Sequence, residues 1–289
     1  MQYQGVCHKM QARLDDDLSF EPAQNTAEAI NHPVQYHFVL DHFRVDMRPL
    51  LGKNVQLHWT GNIYCIGCGS KTPKSYSQGY CFKCFKTSAS CDMCILKPET
   101  CHYHLGTCRD DSFAQHVCFR PHTVYLANSS GLKVGITRQV QMPTRWLDQG
   151  ANQALPIMQV GSRRLSGQVE ILFASLIADK TNWRALLKGD AETLDLHAEK
   201  QRLIETFQAK IQQIDDEYPD EDLAILNLPT YHFNYPVTEY PSKIVSHNLD
   251  KTPTIEGKLM GIKGQYLLLD TGVINIRKYS GYELILSHD

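Results

Sequence analysis

The sequence has no run of about 18 apolar residues, so no membrane-spanning helix is expected. It opens on MQYQGVCHKMQARLDDD, which lacks a charged start followed by an apolar stretch. No signal peptide is therefore expected, and the cytoplasm is the expected compartment. A strong net charge is missing too: 29 Lys and Arg stand against 31 Asp and Glu, a balance of −2. The molecule is not a polyanion binder by bulk charge, so a nucleic-acid surface must be a local patch. Cysteine is almost absent outside one segment, since nine of the ten lie between Cys65 and Cys118 and the other is Cys7. With no export signal, such clustering reads as metal binding rather than disulfides.

What is present suits a globular chain of 289 residues, 42% of them hydrophobic. Residues 1–60 read as a β-rich segment: YHFVLDHFRV and KNVQLHWTGNIYC alternate apolar and polar side chains, with a hairpin turn at Thr60-Gly61. Residues 61–118 form a zinc-binding module with too few apolar residues to fold around anything but metal. Residues 119–225 read as an α/β domain with long helices. Strands are predicted at 124–127 and 132–136, then a helix in MPTRWLDQGA with Pro143 in its first turn. A third strand near LPIMQVGS precedes a helix capped by Ser166, and a long helix follows over 190–217. Residues 226–289 are β-rich again, giving an α+β chain. The tracts LLGKNVQLHWTGNI and LMGIKGQYLLLDTGVI share Leu-x-Gly, a strand, Thr-Gly and Ile. They are either related hairpins packing into one small barrel or unrelated hairpins with common turn chemistry.

Two Cys-x-x-Cys knuckles, Cys65/Cys68 and Cys81/Cys84, supply four thiolates with the spacing of a tetrahedral structural zinc. A third knuckle, Cys91/Cys94, with Cys101 and Cys108 is expected to hold a second zinc, with His104, Cys118 and His122 as alternates. A closed four-thiolate site leaves no position for water, so both zincs would be structural. Lys71, Lys74, Lys83 and Lys86 would let the module touch nucleic acid or protein.

Directly after the module comes VYLANSSGLKVGITR, Val124 to Arg138. Alternation puts Tyr125 and Lys133 on neighbouring strands, and Gly135 permits close backbone approach. Tyr125, Arg145 and Glu170 together suit a phosphodiester site. Glu170 would hold Mg²⁺ through oxygen, Arg145 would clamp the phosphate, and Tyr125 would position or deprotonate a water. Between 119 and 164, Arg120, Lys133, Arg138, Arg145, Arg163 and Arg164 face Asp148 alone. That asymmetry fits a basic groove, or an ordinary solvated face. Arg138, Arg163 and Arg164 are the candidate backbone contacts, and Trp146 is either a platform for a stacked base or a core residue.

These residues resemble the core of the GIY-YIG nuclease superfamily, in its variant with a Lys-Val/Ile-Gly-Ile-Thr second strand. Val124-Tyr125-Leu126 stands for the first motif and Lys133-Val134-Gly135 for the second, and the likeness covers residues 123–185. It implies a GIY-YIG-like α/β domain and metal-dependent phosphodiester cleavage, with Tyr125 near the water, Arg145 on the phosphate and Glu170 on one divalent ion. Thr123 stands where the first motif has glycine, and Lys133 where the second has tyrosine. Lysine binds phosphate as a point charge but lacks the acceptor role of a phenol. The whole chain also resembles an uncharacterised bacterial family joining a zinc module to such a domain, through CDMC, GTCR, KVGITR, PTRWLDQGA and IKGQYLLLDTGV. Three functions follow as expectations: a Mg²⁺-dependent nuclease, a non-catalytic binder of RNA, the ribosome or DNA, or a protein-interaction scaffold.

Overall fold

Short alternating or wholly apolar stretches, punctuated by glycine and asparagine, gather into two sheets in the computed structural model, which describes residues 1–15, 31–177, 182–189 and 191–289. In chain order come β1 (Gln2–Val6), β2 (Gln11–Leu14), β3 (Asn31–Leu40), β4 (Phe43–Asp46) and β5 (Asn54–Ile63). The cysteine-rich segment carries α1 (Phe82–Thr87) and α2 (Asp111–Phe113). Then follow β6 (His122–Asn128), β7 (Leu132–Arg138), α3 (Thr144–Asp148), β8 (Gln153–Val160) and α4 (Arg163–Ala174). The chain continues with α5 (Trp183–Leu186), α6 (Leu196–Glu217), β9 (Leu223–Ile225) and β10 (Tyr231–Asn234). It closes with β11 (Thr254–Lys263), β12 (Tyr266–Leu269), β13 (Gly272–Asn275) and β14 (Tyr282–His288).

Both β-rich ends meet in one six-stranded sheet of order β1-β14-β5-β11-β12-β13. Its outer strands β1 and β13 do not pair with each other, so among the described residues the sheet is open rather than a closed barrel. The first strand lies antiparallel to the last, Gln2 opposite Ser287. The second sheet follows the path β2-β3-β10-β8-β6-β7, with β4 added on β3 and β9 on β8. Pairing therefore crosses the sequence positions 60 and 225: β2 to β4 and β10 share a sheet with the central strands.

The core follows from side-chain alternation along β6, buried at all seven positions. Val124 and Leu126 point to one core with Val169 and Phe173 of α4 and Leu203, Phe207 and Ile211 of α6. Tyr125 and Ala127 point to the other, with Trp146, Tyr231 and Phe233 and with Leu57, Ile255 and Leu284 of the six-stranded sheet. The cysteine-rich segment docks against α4 and the turn before β14. Arg163 of α4 donates to the Ile95 carbonyl at 2.6 Å, and Arg277 donates to Gln78 at 2.7 Å. Gly167 lets α4 approach closely, since a Cβ there would lie 2.7 Å from the Glu99 nitrogen.

Several local expectations change. Thr60-Gly61 is not a hairpin turn but lies inside β5, where the pairing with β14 shifts register between Tyr282 and Leu284. The helix expected to start at Ser166 starts one turn earlier, because the Ser162 side chain accepts from the Leu165 amide. The long helix starts at Leu196, where the Asp195 carboxylate caps two amides; its expected first residue, Asp190, lies outside the described residues. Trp146 is no stacking platform. It is 0% exposed, stacked on Tyr231 at 5.6 Å and edge-on to Tyr125 at 5.9 Å. Trp146→Ala is expected to cost roughly 3–5 kcal/mol of stability, read as a lower denaturant midpoint.

Candidate functional site

The first four thiols come together as their spacing demands. The sulfurs of Cys65, Cys68, Cys81 and Cys84 lie within 4.8 Å of one another, a plausible zinc site. Backbone amides are aimed at them: Gly67 and Cys81 donate to the Cys65 sulfur at 3.4 and 3.2 Å. Cys81 also caps α1, its sulfur accepting from the Cys84 amide at 3.4 Å. The hydroxyl and amide of Ser70 draw the Cys68 thiol down to about 6, which favours the thiolate a metal needs.

The second set is arranged differently from its spacing. Cys91 lines a hollow with Ser77 and Tyr80, whereas Cys94, Cys101 and Cys108 line a separate one with Cys118. His104 is exposed. His122 is buried at the start of β6, its Nδ1 2.7 Å from the Arg120 carbonyl, and burial pushes it down to about 4. Neither lines either hollow.

The strands of the hairpin pair as alternation requires, with Tyr125 opposite Gly135 and Ala127 opposite Lys133. The space that Gly135 leaves is filled by the protein itself: a Cβ there would lie 2.6 Å from the Tyr125 hydroxyl. That hydroxyl donates to Oε1 of Gln149 at 3.1 Å, and Nζ of Lys133 donates to the same oxygen at 2.6 Å. Gln149 sits just past α3, whose Asp148 is held by Lys9 at 2.6 Å and by Gln265 at 2.9 Å. The two ends of the chain thus fix the turn that presents Gln149.

Beside this pair opens a cleft of about 410 Å³ between the cysteine-rich segment and the second sheet. Arg138 at the end of β7, Arg145 of α3, and Arg163 and Glu170 of α4 line it. Glu170 stands two turns into α4 rather than in its first turn, a consequence of the earlier cap at Ser162. Tyr125 is 0% exposed, and burial raises its phenol, opposed by the nearby guanidinium of Arg145. Lys133 is 4% exposed and drawn down to about 7, first by burial, then by Arg145, with Glu170 opposing. Tyr125, Lys133, Arg145 and Glu170 therefore form one electrostatic unit. Arg164 is not part of it, its guanidinium lying over the Tyr218 ring at 5.6 Å.

Sequence reasoning missed Arg277, which also lines the cleft, from the turn between β13 and β14. Burial and the charge of Arg145 lower its pKa. No motif surrounds it, and only the pairing of the chain ends brings it across. Gln149 is the acceptor shared by Tyr125 and Lys133.

The Lys133 shift gives a stability signature. Below about 7 the amine is charged in both folded and unfolded chains, and the burial penalty is present in full. As pH rises from there toward the ordinary lysine range, the folded chain sheds the proton and the unfolded chain keeps it, so stability rises. Between pH 7 and 9 this rise should be about 2 kcal/mol larger in the wild type than in Lys133→Met. Urea unfolding at the two pH values measures it. Lys263, also lowered by burial, to about 8, contributes equally to both proteins.

Compared with known proteins, the sequence matches over residues 52–284 a family described as "Protein of unknown function (DUF2797)". No curated protein and no solved structure matches it. The chain belongs to the DUF2797 family.

Proposed function

We propose that this protein binds the phosphodiester backbone of a nucleic acid in the arginine cleft and hydrolyses it with Mg²⁺, in the manner of the GIY-YIG nucleases its hairpin resembles. The observation that carries the reading is four guanidinium groups, Arg138, Arg145, Arg163 and Arg277, gathered with one carboxylate, Glu170, in one cleft. Guanidinium forks suit phosphate oxygens and stabilise charge that develops during cleavage. A single carboxylate suits Mg²⁺, which keeps most of its waters and takes phosphate oxygens as further ligands. Lys133 stands where the tyrosine of the second motif would be. With its pKa drawn near 7, it is partly unprotonated at neutral pH and can accept a proton, which an ordinary lysine cannot. Exposed Lys71, Lys74, Lys83 and Lys86 on the zinc-binding segment suit a polymeric substrate that runs past the cleft.

One observation favours a second reading, a phosphate grip without cleavage in a binder of RNA, the ribosome or DNA. Tyr125 is wholly buried and already bonded to Gln149, leaving it no open side toward a water. Incubation with single- and double-stranded DNA and RNA, with and without Mg²⁺, separates the two. Cleavage that requires Mg²⁺ and falls roughly 100-fold or more in Glu170→Ala supports the nuclease. Salt-dependent retention without cleavage supports the grip, and retention of neither polymer would leave the scaffold reading. Under either of the first two, Arg138→Ala should weaken binding to all sequences alike and lower the slope of log K against log salt by about 1.

A further inference from the structure

The hollow lined by Cys94, Cys101, Cys108 and Cys118 has about 20 Å³ of free volume, close to what one water or one ion occupies. The chain around it has almost no other means of holding its shape. From Ala89 to Cys118 it runs through single-turn helices without a strand. Its large apolar side chains Met93, Leu96 and Leu105 face solvent at 58, 79 and 67% exposure. A stretch of that kind needs a staple.

We propose that this hollow binds a second zinc through Cys94, Cys101, Cys108 and Cys118. Cys91 is excluded despite its Cys-x-x-Cys spacing from Cys94, because it lines the hollow shared with Ser77 and Tyr80. Cys118 takes its place from the end of the turn Ala114–Cys118. The tightest ligand group nearby is a different one: Asp92, Cys94 and His102, with ligand atoms within 4.8 Å, a spacing that no three of the four thiols reach, so the thiols must close in on the ion. Other partners take one atom from each of two members, leaving Oδ1 of Asp92 and Nε2 of His102 facing each other. Arg109 bonds the Asp92 carboxylate at 2.8 Å, and Thr107 lies 2.8 Å from Nδ1 of His102. Asp92 and His102, 3.4 Å apart, instead brace the loops that carry Cys94, Cys101 and Cys108. Four soft thiolates around an ion-sized hollow are the stronger zinc set.

The second ion would also fix one wall of the arginine cleft. Ile95, Leu96 and Pro98, which lie between Cys94 and Cys101, line that cleft, and the Ile95 carbonyl accepts from Arg163.

Differential alkylation of the intact protein tests the assignment without relying on any variant to fold. The zinc-loaded protein is treated with iodoacetamide before and after chelation, and each cysteine is followed by peptide mass spectrometry. Elemental analysis is expected to give two zincs per chain. Cys94, Cys101, Cys108 and Cys118 should become reactive only on chelation, in step with loss of the second zinc. Cys91→Ser should retain both ions, and Cys118→Ser should retain one. A single zinc per chain overturns the proposal. So does Cys118 reacting in the fully loaded protein, or loss of the second ion from Asp92→Asn and His102→Ala but not from Cys118→Ser.

Discussion

Strand β6 is buried on both faces, and the rest of the structure is arranged around that condition. A strand with no solvent face must be hydrogen-bonded on both edges and packed above and below. β7 and β8 supply the edges. Above, Val124 and Leu126 require α4 and α6. Below, Tyr125 and Ala127 require Trp146, the aromatics of β10 and the six-stranded sheet. The phenol that would serve a phosphodiester site is thus a core residue first. Its hydroxyl reaches the polar side only because Gly135 has no side chain and Gln149 offers an oxygen.

The same packing explains the electrostatics. Lys133 is 4% exposed, and an amine that is buried loses hydration. Arg145 nearby adds repulsion and Glu170 attraction, and burial outweighs both. The arginines of the cleft are spread over β7, α3, α4 and the β13–β14 turn, so their mutual repulsion is borne by four separately anchored elements. Arg163 shows one form of anchoring, with part of its guanidinium bonded to the backbone of the cysteine-rich segment.

Much of the central domain was legible because its signals are local. The β6–β7 hairpin, the helix after Pro143 and the first cysteine quartet each depend on residues within about twenty positions of one another. What was not legible depends on distant partners. Trp146 reads equally as a stacking platform or a core residue until Tyr231 and Phe233 arrive from β10 and decide for the core. Arg277 carries no motif and joins the cleft only through strand pairing at the far end of the chain. Ser162 and Ser166 both precede apolar runs, and only the helix itself selects the earlier one as its cap. Cys91 and Cys94 have knuckle spacing, yet successive single-turn helices send them into different hollows.

The antiparallel pairing of β1 with β14 has a consequence for synthesis. β1 is the edge of its sheet, and among the described residues its one strand partner, β14, is made much later. At about 5–20 residues per second, tens of seconds separate the two. β5 likewise waits for both of its neighbours, β11 and then β14. The six-stranded sheet can therefore assemble only once β14 has been made, while the hairpin and the first cysteine quartet, local in sequence, can form earlier. Exposed strand edges during that wait make the nascent chain a natural client for chaperones.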